Sequence, residues 1–293
     1  MGKIEVKSKR KRKEAKIKVV LPEEYTEPAA NFNDYALLIH GEKKIGKTSL
    51  SLQGPGNVLL LECDPPQLAY RRKELQLPNW ATFLAILERL EQEAGSDTPF
   101  PFDRVVLDGA DIWYQRCLEY VCKQRVITHP EDEAYGKGWH GVRKEFTQAV
   151  DRLLRLPCGT WFLCHSSWKE VKLRKGGKVD KLLPRLSGQA EEILNGKVDG
   201  WFAYDYDGDN RILILQGDDM TGAGHRLDSS DAPHFRNPDK KPLRSIRMGT
   251  TASKAYENLE AAYNNMYIPP KKPESKHRVK KGGKTRKQFL KKK

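Results

Sequence analysis

The chain has 293 residues, 38% of them hydrophobic and 31% charged, with a formal net charge of +14. That length allows one sizeable core or two small ones. No apolar run is long enough for a membrane span and no apolar stretch follows the basic N-terminus as in a secretion leader, so membrane and exported classes are set aside and a cytoplasmic protein is expected.

The charge is concentrated at the two ends. Residues 1–20 hold nine Lys/Arg against two Glu, residues 269–293 hold twelve against one, and the stretch between them is left at −4. This predicts a basic N-terminal arm and linker over 1–30, a mildly acidic domain over 31–268 and a basic tail over 269–293. Arms of this kind either neutralise nucleic-acid phosphates or serve as solubilising tails. The five cysteines, Cys63, Cys117, Cys122, Cys158 and Cys164, are odd in number and form no C-x-x-C pair, which reads as free thiols in a reducing compartment rather than a zinc site.

Pro22 to Asn33 reads as a linker into a first apolar strand. The stretch from Tyr35 to Leu52 then runs from strand to glycine-framed loop to helix start. Gly41, Gly46, Lys47 and Thr48 fill the spacing G-x-x-x-x-G-K-[ST], with Glu42, Lys43, Lys44 and Ile45 inside the loop and Ser49 after it. In that template, backbone amides wrap a triphosphate, a lysine places a point charge on the β and γ phosphates, and a hydroxyl holds Mg²⁺. Glycine is needed where the backbone turns left-handed to aim successive amides at one anion. ATP and Mg²⁺ are therefore the expected ligands; a basic glycine-containing hairpin turn is the plain alternative.

Gly54-Pro55-Gly56 cuts the first helix short, and Val58 to Leu61 makes a second strand with Glu62 and Asp64 at its carboxyl end. Thr82 to Ala94 is an amphipathic helix, with Phe83, Ile86, Leu87 and Leu90 on one face. Arg104 to Asp108 is a buried strand ending in a carboxylate, and Asp108 suits the metal-positioning acid of a phosphate-loop site or the cap of the next helix. Gly109 follows, where many ring-forming ATPases carry a water-activating Glu, so that base must come from elsewhere. Asp64, and behind it Glu62, are the candidates, since a second-strand tip can lie close to the γ-phosphate; each also reads as an ordinary loop acid.

Ile112 to Arg125 reads as a helix, and Thr128 to Gly141 as a long polar loop whose Tyr135, Trp139 and His140 suit either base stacking or a lid. Val142 to Leu156 is a core helix, and Trp161 to Cys164 is a strand ending in His165. The segment from Trp168 to Arg185 is the strongly basic one inside the acidic body, with seven Lys/Arg against two acids around a Gly-Gly centre. It reads as a cationic hairpin beside the nucleotide, either touching a nucleic-acid backbone through Trp168, Lys169, Lys172, Arg174, Lys175, Lys178, Lys181 and Arg185 or simply exposed. Val198 to Tyr204 and Arg211 to Leu215 form a hairpin around Asp207-Gly208-Asp209-Asn210 that extends the sheet, and Ala252 to Tyr263 is a terminal helix. The alternation of short apolar strands with helical segments predicts an α/β domain with a mostly parallel sheet flanked by helices.

Gly41-x-x-x-x-Gly46-Lys47-Thr48, the strand-end Glu62-Cys63-Asp64, the strand ending at Asp108 and the strand-end His165 with its following loop together resemble the RecA-like P-loop ATPases. The resemblance is greatest to the short phage-encoded RecA-like proteins of single-strand annealing and recombination, over about residues 33–230. It implies an ATPase stimulated by single-stranded DNA, a ring or filament of identical subunits, a single-strand-binding protein as a further partner, and a bacterial host's cytoplasm. By position it gives Asp64 the catalytic-acid role, usually held by Glu, His165 the γ-phosphate sensor and residues 166–185 the DNA loop. Members of the family complete the site with a neighbouring subunit's cation, for which Arg211 or Arg226 would serve. Two rival functions stay open: a P-loop motor or helicase loader, and a non-hydrolysing nucleotide-gated DNA-binding protein. A nucleotide kinase lacks support because no second arginine-rich phosphate lid is evident.

Overall fold

The computed structural model describes residues 21–270 other than 67, 68, 70, 174 and 175. The arm over 1–20, the tail from 271 onward, Arg174 and Lys175 lie outside the described residues.

Ten strands join in one network: β1 (Ala36–Gly41), β2 (Val58–Glu62), β3 (Lys73–Gln76), β4 (Arg104–Asp108), β5 (Gly159–Lys172), β6 (Lys178–Pro184), β7 (Gly200–Asp207), β8 (Asn210–Ile214), β9 (Gly224–His225) and β10 (Ser245–Arg247). The main order is β10-β8-β7-β1-β5-β4-β2-β3. From β7 to β3 every pairing along this order is parallel, while β8 and β10 close one edge antiparallel. The fold is thus the α/β arrangement expected: a mostly parallel sheet with a C-terminal hairpin extension.

The central strands are continuous apolar runs because helices cover both faces. Alternate residues divide between two cores. Leu38, Leu59, Leu61, Val105, Leu107 and Phe162 point to the face covered by α2 (Trp80–Ala94), α3 (Ala110–Arg125), α4 (Lys137–Leu153) and α5 (Gly188–Lys197). Leu37, Ile39, Leu60, Val106, Trp161 and Leu163 point to the other, under α1 (Lys47–Ser51) and α6 (Ala252–Tyr263). The first core is anchored by aromatic packing: the Trp113 ring lies 4.7 Å from Phe146, 5.0 Å from Phe83 and 5.3 Å from Trp80, centroid to centroid.

Several local expectations need correction. The segment over 128–141 is not a long loop: α4 begins at Lys137, so Gly138, Trp139 and His140 are helical. Its glycines have packing and cap roles instead, with Gly136 capping the helix at φ 69° and Gly138 pressed so closely on the Pro130 backbone that a Cβ would collide with it. Tyr135 is exposed, whereas Trp139 packs edge-on against His129 at 5.5 Å. The strand expected over Trp161 to Cys164 spans fourteen residues, Gly159–Lys172. β3 and α5 are further elements, beyond those the sequence pattern predicts.

Arg104, at the start of β4, is almost fully buried. Its Nη2 donates to the carbonyls of Ser51 at 2.8 Å and Gln53 at 2.5 Å, its Nη1 donates to Asn33 Oδ1, and the guanidinium lies 4.2 Å from the Trp161 ring centroid. A charge without a carboxylate partner is tolerated here because the carbonyls at the end of α1 need donors and carry the negative end of the helix dipole. Burial pulls its pKa down to about 10, so it stays cationic at neutral pH. This guanidinium fixes the end of the helix that starts at the phosphate loop.

Candidate nucleotide site

The loop between β1 and α1 takes the conformation its glycines allow. Gly46 sits at φ 109°, and Gly41 packs against the Tyr204 carbonyl of β7, where a Cβ would clash. Lys44 also lies in the left-handed region, at φ 64°. The Lys47 ammonium is turned into the loop and donates to the carbonyls of Gly41 at 3.0 Å and Glu42 at 2.8 Å. It is 7% exposed, and burial pushes its pKa down while the nearby Asp108 opposes that shift. A buried ammonium hydrogen-bonded to two carbonyls of its own loop is a cation whose best counter-charge is a ligand, which is what a triphosphate supplies.

The Thr48 hydroxyl donates directly to Asp108 Oδ2. Asp108 is not on the strand next to β1. β5 lies between, in register Gly41↔His165 and Asp108↔Leu163, so three strand tips converge on one point. Burial raises the Asp108 pKa, against the lowering effect of the Thr48 hydrogen bond and the Lys47 charge. A hydroxyl and a carboxylate in contact beside an ammonium are the hard oxygen donors that Mg²⁺ takes together with water and phosphate oxygens, so the residues present fit the ion. Among the described residues there is no cluster of three or more His, Cys, Asp or Glu that would hold a metal by protein ligands alone.

A cavity of about 520 Å³ is lined by Lys43, Lys44, Gly46, Lys47, Thr48 and Ser49 of the loop and helix start together with Asp64, Asp108, Ile112, His165 and Arg185. The two acids at the end of β2 part company here. Asp64 opens on the cavity. Glu62 is fully buried: its Oε1 accepts from the Asp64 amide at 3.1 Å, and its Oε2 has no hydrogen-bond partner among the described residues. Burial first, then the charge of Asp108, pushes its pKa up to about 8, so Glu62 holds a proton at neutral pH. The expectation that Glu62 could stand in for Asp64 as a water-activating base is therefore corrected: it is neither in the cavity nor ionised.

His165 stands at the cavity wall with its Nδ1 3.6 Å from Asp111 Oδ2 in the first turn of α3. Asp111 also accepts from Arg185, and although burial opposes ionisation, the hydrogen bonds from His165 and Arg185 hold its carboxyl below the usual range. Arg185, expected among the nucleic-acid contacts of the basic hairpin, instead pairs with Asp111 at the cavity wall. Its side chain is in the nucleotide cavity, not along the hairpin face.

The rest of that segment does form a hairpin. Beyond His165, β5 leaves the main sheet and pairs antiparallel with β6 from Ser166↔Pro184 to Lys172↔Lys178, and Gly176 and Gly177 turn at φ 88° and 84°. Trp168 is 61% exposed, Lys172 and Lys178 are exposed, and Lys181 is half-buried. Lys169 is tied to Glu191 at 2.6 Å and to the Leu186 carbonyl at 2.8 Å, and Lys178 to Glu170 at 2.6 Å. Arg226 is paired with Asp199 at 3.0 Å, beside the amino end of β1 and away from the loop, and Arg211 is oriented toward the Thr250 carbonyl at 3.5 Å. Neither lines the cavity.

All five cysteines are free, and four of them are buried. No helix among the described residues is long and apolar enough to cross a membrane. No curated protein matches the chain. A family model described as an AAA domain matches residues 33–227, which take in the phosphate loop, Asp64, Asp108, His165 and the hairpin. The chain belongs to the AAA-domain family, a family of P-loop nucleotide-binding ATPases.

Proposed function

We propose that this AAA-domain chain is an ATP-dependent single-stranded-DNA-binding protein whose slow hydrolysis is stimulated by that DNA, acting in recombination or single-strand annealing. One observation carries the reading. β5 is a single strand whose middle residue, His165, lines the nucleotide cavity and whose far half forms the protruding hairpin with the exposed Trp168. An exposed aromatic on a hairpin that carries the exposed Lys172 and Lys178 nearer its turn suits sequence-blind binding, in which bases stack and ammonium groups track phosphates.

Lys47 and the loop amides would hold the charge that develops on the γ-phosphoryl group, and Asp64 would orient the attacking water and accept its proton. Thr48 and Asp108 would hold Mg²⁺, which when bound neutralises phosphate charge as a Lewis acid. His165, between the cavity and the hairpin, is the residue through which DNA and nucleotide would be coupled. The burial of Glu62 favours a second reading: with the short side chain of Asp64 as the remaining second-strand acid, the protein would be a nucleotide-gated DNA binder that does not turn ATP over.

An ATPase assay with and without a single-stranded oligonucleotide tests both. DNA-stimulated phosphate release supports the first reading. Absent turnover with ATP-dependent oligonucleotide binding supports the second, and oligonucleotide binding indifferent to ATP, without stimulated turnover, refutes both.

A further inference from the structure

The hairpin and the phosphate cavity meet at Arg185. It follows the last residue of β6, and its backbone N–H donates to the His165 carbonyl at 2.7 Å, closing the hairpin's base. Its side chain turns inward to share the cavity with Lys47, Thr48 and Asp108. There both Nε, at 2.8 Å, and Nη2 donate to the same oxygen, Oδ2 of Asp111, while Nη2 lies 3.5 Å from His165 Nδ1. The pairing leaves the second carboxylate oxygen, buried Oδ1, without a partner among the described residues. A guanidinium fork fits two oxygens best, and here it uses one.

The two ends of this ion pair are unequal. The Asp111 side chain is 7% exposed and the Arg185 side chain 47%. The carboxylate is fixed in the first turn of α3, where the helix dipole and His165 also support its charge, whereas the guanidinium that meets it is half exposed. A triphosphate held by Lys47 and the loop would bring three terminal oxygens into that space, a better match for the fork than one carboxylate oxygen.

We propose that Arg185 distinguishes ATP from ADP in cis: a bound terminal phosphate draws its guanidinium off Asp111, and a diphosphate leaves it there. The proposal rests on the nucleotide reading of the cavity and adds which of this chain's arginines senses the last phosphate. It needs no cation from a second subunit.

The test is the equilibrium affinity of the full chain for Mg·ATP and Mg·ADP, measured by calorimetry for wild type, Arg185→Ala, Arg185→Lys and Asp111→Asn. Arg185→Ala should weaken ATP binding about tenfold to a hundredfold and change ADP binding by about twofold or less, with Arg185→Lys recovering part of the loss. Asp111→Asn should act with the opposite sign, raising the preference for ATP because the competing carboxylate has been neutralised. A merely structural ion pair gives losses of the same sign at both ends, blind to the nucleotide. Equal loss of ATP and ADP affinity in Arg185→Ala, no loss, or a lowered ATP preference in Asp111→Asn overturns the proposal. If thermal melting shows Arg185→Ala to be unfolded, Arg185→Lys and Asp111→Asn decide it by the same opposite signs. If the wild type binds neither nucleotide, or Lys47→Ala binds both as wild type does, the nucleotide reading itself falls and the proposal with it.

Discussion

Replacing Glu62 by Gln tests the electrostatics of the site without touching the cavity. The carboxyl is fully buried with one unpartnered oxygen, and its pKa rises from 4.5 to about 8. Below pH 4.5 the group is protonated in both folded and unfolded chains. Between pH 4.5 and about 8 only the unfolded chain ionises, so wild-type stability falls as pH rises through that window and levels off above it. The full span is worth at most about 5 kcal/mol at about 1.4 kcal/mol per unit, and relaxation around a group coupled to Asp108 should reduce it to about 2–4 kcal/mol.

Glutamine keeps the shape and the acceptor for the Asp64 amide but has no proton to lose. Urea unfolding of both proteins in metal-free buffer from pH 5 to 9 should therefore show Glu62→Gln gaining on wild type up to about pH 8 and holding that lead above it. His40, whose pKa burial pulls down to about 4, titrates equally in both and cancels in the difference. Parallel stability curves for the two proteins would refute the account, since they would mean that Glu62 ionises as easily folded as unfolded.

Three further outcomes are expected. Arg104→Met should cost about 3–5 kcal/mol in urea unfolding, because it strips donors from Ser51, Gln53 and Asn33 in a buried setting; a loss under about 1 kcal/mol would show the guanidinium to be dispensable. Gly138→Ala should lower stability by about 1–3 kcal/mol in a thermal melt, although alanine is the better helix former by about 1 kcal/mol, and a stabilised variant would disprove the tight contact with Pro130. His165→Ala should bind ATP with unchanged affinity while losing stimulation by single-stranded oligonucleotide, and stimulation equal to wild type would remove His165 from the coupling.

What could be read from the sequence was what local chemistry dictates. Leu37, Leu38 and Ile39 mark β1 because a strand buried on both faces has to be apolar throughout, and the spacing of Gly41, Gly46, Lys47 and Thr48 fixes a loop geometry whatever surrounds it. The Gly-Gly turn of the β5–β6 hairpin was legible for the same reason. β3 was not, because Lys73, Glu74 and Gln76 make a polar edge strand with a single apolar residue, Leu75. Gly136 and Gly138 looked like loop residues because a cap and a close contact require the same absence of Cβ as a turn. The inward turn of Arg104 and that of Arg185 depend on partners 71 and 74 residues away in the chain. A basic residue in a basic segment gives no local sign of which way it will point.

That distinction bears on how nucleotide and hairpin would communicate on the proposed reading. Among the described residues, two side-chain contacts tie the hairpin's base to the phosphate-loop end of the sheet, and one of them involves a charge that a ligand could capture. In the first, Arg185 and His165 share Asp111 at the cavity wall. In the second, His40, one residue before Gly41, is fully buried and neutral at physiological pH, with its Nε2 2.9 Å from the Gly222 carbonyl and its Nδ1 2.8 Å from Ser166 Oγ. The carbonyl accepts only, so Nε2 carries the proton and the Ser166 hydroxyl donates to Nδ1, which leaves a single arrangement of the three groups. Such a contact ties the hairpin's first residue to β1 through neutral groups. On the proposed reading, a response to the terminal phosphate would enter through the cluster of Arg185, Asp111 and His165, where the half-exposed guanidinium, unlike the His40 contact, carries a charge that a phosphate could capture.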